Sequence, residues 1–169
     1  MRAWLLSMDS RFTRLSEITD HSKLAHSVAA VIAHSADSWF WLAGLILLWF
    51  LGPESWRPTL LMLGIGILLT AVIVMVIKFS VRRSRPEGDW GKIYRSTDPH
   101  SFPSGHAARS FLIAVLMLGL GPIWLGVLLL CWAMAVGLAR ISLGVHYPSD
   151  VIAGDFLGVL IGILILVFV

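Results

Sequence analysis

Long uncharged apolar runs alternate along this chain with short polar blocks. Runs free of charge extend over Ser38 to Pro53, Thr59 to Ile77, Ser110 to Ala139 and Val151 to Val169, the last carrying only Asp155 near its start. A helix needs about 20 apolar residues to cross the roughly 30 Å hydrocarbon layer of a bilayer. The run from Ser110 to Ala139 is too long for one crossing, and Gly119-Leu120-Gly121-Pro122 in its middle supplies the breakers for a tight turn. The pattern therefore predicts five spanning helices, over residues 37–52, 58–79, 104–120, 122–140 and 148–169, the first of them short. The expected fold class is all-α, a polytopic transmembrane helical bundle.

Residues 1–36 break the pattern. Arg11, Arg14, Glu17, Asp20, His21 and Lys23 are interleaved with Leu15, Ile18, Leu24, Val28, Val31 and Ile32. Such a mixture suits an amphipathic helix lying in the membrane interface, with an irregular sixth span through residues 18–36 as the alternative. The expected organisation is an N-terminal segment, 1–36, followed by a single transmembrane core, 37–169. A secretory signal peptide is not expected, because Met1 to Met8 holds no long apolar stretch before Asp9 and Arg11.

Composition agrees with the membrane setting: 57% of residues are hydrophobic and 14% charged, against about 45–50% and about 25% in soluble domains. Cys131 lies inside an apolar run and, as the one cysteine, forms no intramolecular disulfide. The net charge of +3 does not point to nucleic acid, since the cations are juxtamembrane and carry no recognition motif; anionic lipid is the simpler partner. Trp39, Trp41, Trp49 and Trp56 read as interfacial anchors. Gly154, Gly158 and Gly162 recur every fourth residue, a spacing that lets a second backbone approach. Packing within the chain is the first reading, and a homodimer through the same glycines the second.

Three polar blocks remain, Lys78 to Pro86, Pro103 to His106 and Arg140 to Asp150, each at the end of an apolar run. Ser104 is a good N-cap, so the free N–H groups that follow it and the helix dipole face whatever anion lies in front. His106 stands beside that anion, although alone it reads equally as an interfacial histidine. His146 and Asp150 are four residues apart, with Pro148 suited to the first turn of the next helix. The carboxylate is expected to reach back to the imidazole and orient it, and an imidazole so held can attack phosphorus. Asp150 has a competing structural role at its helix N-terminus. Lys78, Arg85 and Arg140 read as a phosphate cradle, with snorkelling or orientation as the bland alternative. That alternative covers most of Arg82, Arg83, Lys92 and Arg95.

Lys78 with six residues before Arg85-Pro86, then Pro103-Ser104-Gly105-His106, then Arg140 with five residues before His146 and three more before Asp150, resembles the three-part motif of the type 2 phosphatidic acid phosphatase family. The superfamily also contains bacterial non-specific acid phosphatases and vanadium haloperoxidases. The resemblance covers residues 78–150. It implies a membrane-bound, helical lipid phosphatase that needs no metal or other cofactor. His146 would be the nucleophile forming a phosphohistidine, Asp150 its orienting partner and His106 the general acid. Lys78, Arg85, Arg140, Ser104 and the Gly105 N–H would hold the phosphoryl oxygens. One departure is visible: Ala139 replaces the serine that usually begins the third motif. Only 16 residues separate Pro86 from Pro103, which suggests a small headgroup or a permissive site.

The expected substrate is a lipid phosphomonoester or diphosphate, such as a phosphatidate, a phosphatidylglycerophosphate or a polyprenyl phosphate or diphosphate. A non-catalytic binder or transport protein that keeps the pocket is the competing reading. Lys78 closes one helix, Ser104 opens the next, Arg140 closes another and Pro148 opens the last, so all four lie on one face. That face carries Arg82, Arg83, Lys92, Arg95 and Arg109 besides the proposed cradle, and the opposite loops only Arg57. The excess of cations places the site on the cytoplasmic face of the cell (inner) membrane.

Overall fold

The computed structural model describes Asp9, residues 22–86 and residues 98–169. Among them lie α1 (Lys23–His34), α2 (Ser38–Leu51), a short 3-10 turn (Glu54–Trp56), α3 (Arg57–Val81), α4 (Gly105–Leu120), α5 (Ile123–Ser142) and α6 (Pro148–Val167). Local chemistry sets these boundaries. Ser22 caps α1, accepting from Ala25 N–H at 3.3 Å. Pro58 and Pro148 sit in the first turns of α3 and α6, where a missing N–H costs nothing. Gly121 and Pro122 separate α4 from α5, as the breaker pattern predicts.

Five of the six helices coincide with the predicted spans to within about three residues. Glu54–Val81, Ile123–Ser142 and Pro148–Val167 are each long and apolar enough to cross a membrane, and α4 is a shorter apolar helix. α1 and α2 meet that criterion only together, across a bend of 55°. The described part of the N-terminal segment is therefore continuous with the bundle. Ala29 and Ala33 of α1 pack against Ala139, Leu143 and Val145 at the end of α5, so this helix has a protein neighbour as well as an exposed face, where Leu24 and Val31 lie. The remainder of the N-terminal segment, apart from Asp9, lies outside the described residues, as do Lys92 and Arg95.

Helix α4 is central, packed between α6, α5 and α3. Its side chains Leu112, Ile113 and Leu116 meet Leu63 and Ile67 of α3 in a core without solvent exposure. The α4–α6 approach depends on the glycine stripe. A Cβ at Gly158 would lie 2.1 Å from Ala108 O, one at Gly154 2.5 Å from Ser104 O, and one at Gly162 2.8 Å from Val115 Cγ1. The stripe is thus packed against α4 of the same chain. Phe50, Phe156, Leu51 and Val72 point outward, as does Cys131, giving the bundle the apolar exterior a bilayer requires.

Trp41 departs from the anchor reading. It packs against Trp132 at a centroid distance of 5.1 Å and donates to Ser35 O at 3.0 Å, while Trp132 donates to Ser35 Oγ at 2.8 Å. The two indoles pin the α1–α2 bend.

Gly158→Ala is expected to lower stability by about 2 kcal/mol, because α4 and α6 must separate to admit the methyl group. At Gly64 a Cβ meets nothing within 4 Å, so Gly64→Ala should be neutral or stabilising by up to about 1 kcal/mol. Thermal unfolding of the detergent-solubilised variants checks both.

Candidate active site

The last turn of α3 carries Lys78, and the chain leaves that helix through Arg82 in the left-handed region at φ 52°. This turn sends Arg83 and Arg85 back over the end of the bundle. Ser84 bridges to His100, and Ser101 N–H donates to Arg83 O at 2.9 Å, tying the first motif to the approach of the second. Arg140 comes from the last turn of α5. The three cations of the sequence motifs are deeply buried: Lys78 is 4% exposed, Arg85 3% and Arg140 1%. Lys78 and Arg85 converge on Asp98. Lys78 Nζ and Arg85 Nη2 both donate to Oδ2, the latter at 2.8 Å, and Arg85 Nε donates to Asp98 O at 2.8 Å. Asp98 thus places one carboxylate oxygen between these two cations.

His146 follows a tight turn in which Gly144 adopts φ 63°, a conformation glycine takes without strain. Its Nε2 lies 3.2 Å from Arg85 Nη1. A guanidinium can only donate, so Nε2 is the lone-pair nitrogen and the ring proton sits on Nδ1. Nδ1 faces Asp150 Oδ2 at 3.7 Å, too long for a hydrogen bond. The expected Asp150–His146 bond is thus a facing charge, because the carboxylate is held by other donors. Burial first, and then Arg140, Arg85 and Lys78, push the His146 pKa well below the ordinary imidazole value of 6.5. The ring is neutral at physiological pH, with its lone pair directed to the cation cluster.

Asp150 is fully buried. Oδ2 accepts from Tyr147 N–H at 2.9 Å, closing a capping box at the start of α6, and Oδ1 accepts from Arg83 Nη1 at 2.7 Å. One carboxylate thus caps the helix and faces the imidazole. Arg83 also donates to Ser149 Oγ at 2.7 Å and to Asp9 Oδ2, and its guanidinium stacks over the Tyr147 ring at 4.1 Å. Asp9 in turn accepts from Ser149 Oγ at 2.9 Å. The orientation-signal reading of Arg83 is corrected: it clamps the carboxylate behind His146. Nothing in residues 1–36 pointed to Asp9.

Ser104 is the N-cap of α4, accepting from Ala107 N–H at 3.5 Å, and its own N–H donates to Asp150 O at 2.9 Å. That bond joins the second motif to the third. Gly105 and His106 occupy the first turn of α4, where backbone N–H groups have no partner within the helix. His106 Nε2 donates to Asp37 Oδ1 at 2.6 Å, a partner from the α1–α2 bend that the motif does not contain. The Ala139 side chain faces α1, in the cluster with Ala29 and Ala33, so the missing hydroxyl coincides with a close helix contact. Every sequence-predicted site residue thus gathers at one end of the bundle. Asp9, Asp37, Arg83 and Asp98 join them.

The sequence profile of the PAP2 superfamily matches residues 59–169. Decaprenylphosphoryl-5-phosphoribose phosphatase of Mycobacterium tuberculosis is 37% identical over 110 residues, which is 64% of this chain and 60% of that protein. Undecaprenyl-diphosphatase of Sulfolobus acidocaldarius is 36% identical over 104 residues, 57% of this chain and 50% of the relative. The aligned regions thus span 60% or less of these relatives' own length. The crystal structure of Aquifex aeolicus LpxE superimposes with a TM-score of 0.74 at 25% identity, covering 93% of each chain.

Arg83→Met should destabilise the protein by about 2 kcal/mol, because it removes charge-assisted bonds to buried carboxylates. Arg83→Lys should recover little of this, since one ammonium cannot span Asp9, Asp150 and Ser149. Thermal unfolding in detergent measures the difference.

Proposed function

We propose that this chain, which belongs to the PAP2 superfamily, is an integral membrane phosphatase that hydrolyses a phosphomonoester or diphosphate on a lipid through a phosphohistidine. The observation that carries the reading is the His146 Nε2 lone pair, 3.2 Å from Arg85 Nη1, within a buried cluster of Lys78, Arg85 and Arg140. His146 Nε2 attacks phosphorus, and the bond from phosphorus to the leaving oxygen breaks. His106, as imidazolium, gives that oxygen a proton. The proton on His146 Nδ1 then faces the Asp150 carboxylate, which stabilises the positive ring of the intermediate. Lys78, Arg85, Arg140 and the Gly105 N–H hold charge on the transferring oxygens. Water next attacks the phosphohistidine, giving up its proton to His106, and releases phosphate.

Phosphatidate, phosphatidylglycerophosphate and polyprenyl phosphate or diphosphate fit this chemistry. The names of the two relatives favour a polyprenyl phosphate or diphosphate. A groove of about 560 Å³, with Val31, Phe40, Trp41, Leu45 and Leu48 in its wall, adjoins His34 at the α1–α2 bend. It gives an apolar chain a place beside the phosphate end. In the membrane, α2 to α6 serve as five crossings within the core of residues 37–169, and α1 lies along the motif face. The basic motif face is cytoplasmic, with the cell (inner) membrane as the location.

His146→Ala is expected to abolish phosphate release from detergent-solubilised lipid phosphates, while wild-type release persists in chelator. Acid quenching with ³²P-labelled substrate should trap an acid-labile phosphoprotein in the wild type alone. With the His146 pKa depressed, the nucleophile stays neutral below pH 6.5, so phosphoprotein formation should not fall off until well under that value. Absence of release by wild type, or equal release by His146→Ala, would favour the non-catalytic binder instead.

Orientation has its own check. Ser55, in the 3-10 turn at the opposite end of α3, is exposed. In a Cys131→Ser background, Ser55→Cys should react with a membrane-impermeant maleimide in intact cells. Protection until lysis would overturn the cytoplasmic placement of the site.

A further inference from the structure

The α1–α2 bend is built onto the first turns of α4. Arg109 donates to Ala36 O, Trp41 and Trp132 hold Ser35 from two sides, and Asp37 opens α2 as its N-cap residue. Asp37 makes no side-chain bond to its own helix. Its carboxylate instead takes a histidine on each oxygen: His106 Nε2 on Oδ1 at 2.6 Å and His34 Nδ1 on Oδ2 at 3.2 Å. A favourable N-cap residue that forgoes capping is held by something stronger.

The charges around His106 say what that partner does. Arg109 on its own helix and Arg140 from α5 bring two positive charges to the surroundings of the ring. His146, from the α5–α6 turn, is also within electrostatic reach. Asp37 opposes them from the bend, with His34 behind it. An acid that must carry a proton beside two guanidinium groups and a cationic cradle needs an opposing charge in contact with it. Nε2 is committed to Asp37, so the proton available to a leaving group is the one on Nδ1.

We propose that Asp37 is the positioning residue of the general acid: its carboxylate orients the His106 ring and favours its protonated form, so that Nδ1–H faces the leaving oxygen. This rests on the phosphatase reading above. The site then has two histidines, each facing a carboxylate with a different consequence. Asp150, already bonded to Arg83 and Tyr147, stands 3.7 Å from His146 and leaves it neutral, as a nucleophile requires. Asp37, at 2.6 Å, favours the cation an acid requires.

The test uses Asp37→Asn and Asp37→Glu in the full-length enzyme with two substrates. A lipid phosphate has a poor alkoxide leaving group that needs the proton, whereas p-nitrophenyl phosphate has a good one that scarcely does. For Asp37→Asn, kcat on the lipid phosphate should fall about 100-fold, within the usual range for general acid catalysis. On p-nitrophenyl phosphate the fall should be about fivefold or less. Loss of the carboxylate favours the neutral ring, so the alkaline limb of the kcat–pH profile on the lipid phosphate should move to lower pH, and Asp37→Glu should restore part of the rate. Equal losses on both substrates with an unmoved limb would reduce Asp37 to a structural tie and overturn the proposal. So would unchanged lipid hydrolysis by Asp37→Asn. ¹⁵N NMR of the His106 ring reads the same coupling without turnover: its titration should shift to lower pH in Asp37→Asn, and an unchanged titration overturns the proposal. A wild type that hydrolyses neither substrate while the NMR shift is present would fault the phosphatase reading and leave the Asp37–His106 coupling standing.

Discussion

Everything at this end of the bundle depends on holding Lys78, Arg85 and Arg140 together out of water. At an effective dielectric constant of about 20, two unit charges about 5 Å apart repel by about 3 kcal/mol, and burial of like charges adds a desolvation cost. The fold tolerates the cluster because each cation arrives on a rigid element: Lys78 on the last turn of α3, Arg140 on that of α5, and Arg85 on a segment fastened through Ser84 and Ser101. Asp98 supplies a counter-charge where two of them meet. Burial and the same excess of positive charge both disfavour a proton on His146. In the proposed reaction, binding and nucleophile activation therefore share an electrostatic cause.

That cluster explains why carboxylates surround it in pairs with distinct duties. Asp150 cannot swing freely, because Arg83 and the Tyr147 N–H take its oxygens. Arg83 is itself braced by Asp9 and by the face of Tyr147. This is a second layer of charge behind the first, and it joins residues as much as 140 positions apart in the chain, as in the Ser149–Asp9 bond. Close packing makes the layer possible. The Ser104 N–H reaches Asp150 O because Gly154 lets α6 approach the start of α4, and a side chain there would meet Ser104 O. A glycine in an apolar helix thus lets the second and third motifs meet.

Much of this was legible in the sequence. Apolar run lengths located α2 to α6, because a helix in hydrocarbon must satisfy its backbone internally and be long enough to cross. The breakers at Gly121 and Pro122 located the hairpin. The spacing of Lys78, Arg85, His106, Arg140, His146 and Asp150 carried the family and the site residues with it. Harder to read were Asp9, Asp37 and Asp98, which belong to no motif, and Arg83, which fills an unspecified position within the first. Their meaning lies in whom they touch: Asp37 is 69 residues from His106, and Asp98 is 20 from Lys78. No local periodicity records such pairings.

By itself the sequence determined an all-helical membrane protein with three polar blocks at one face, since hydropathy and helix geometry are local properties of the chain. Tertiary structure alone decided which carboxylate serves which histidine, that the glycine stripe closes on α4 of the same chain, and that α1 folds over the end of α5. The physical reason is the same in each case: burial, close approach and charge pairing are set by distances in space, and the bundle brings together residues that the chain keeps far apart.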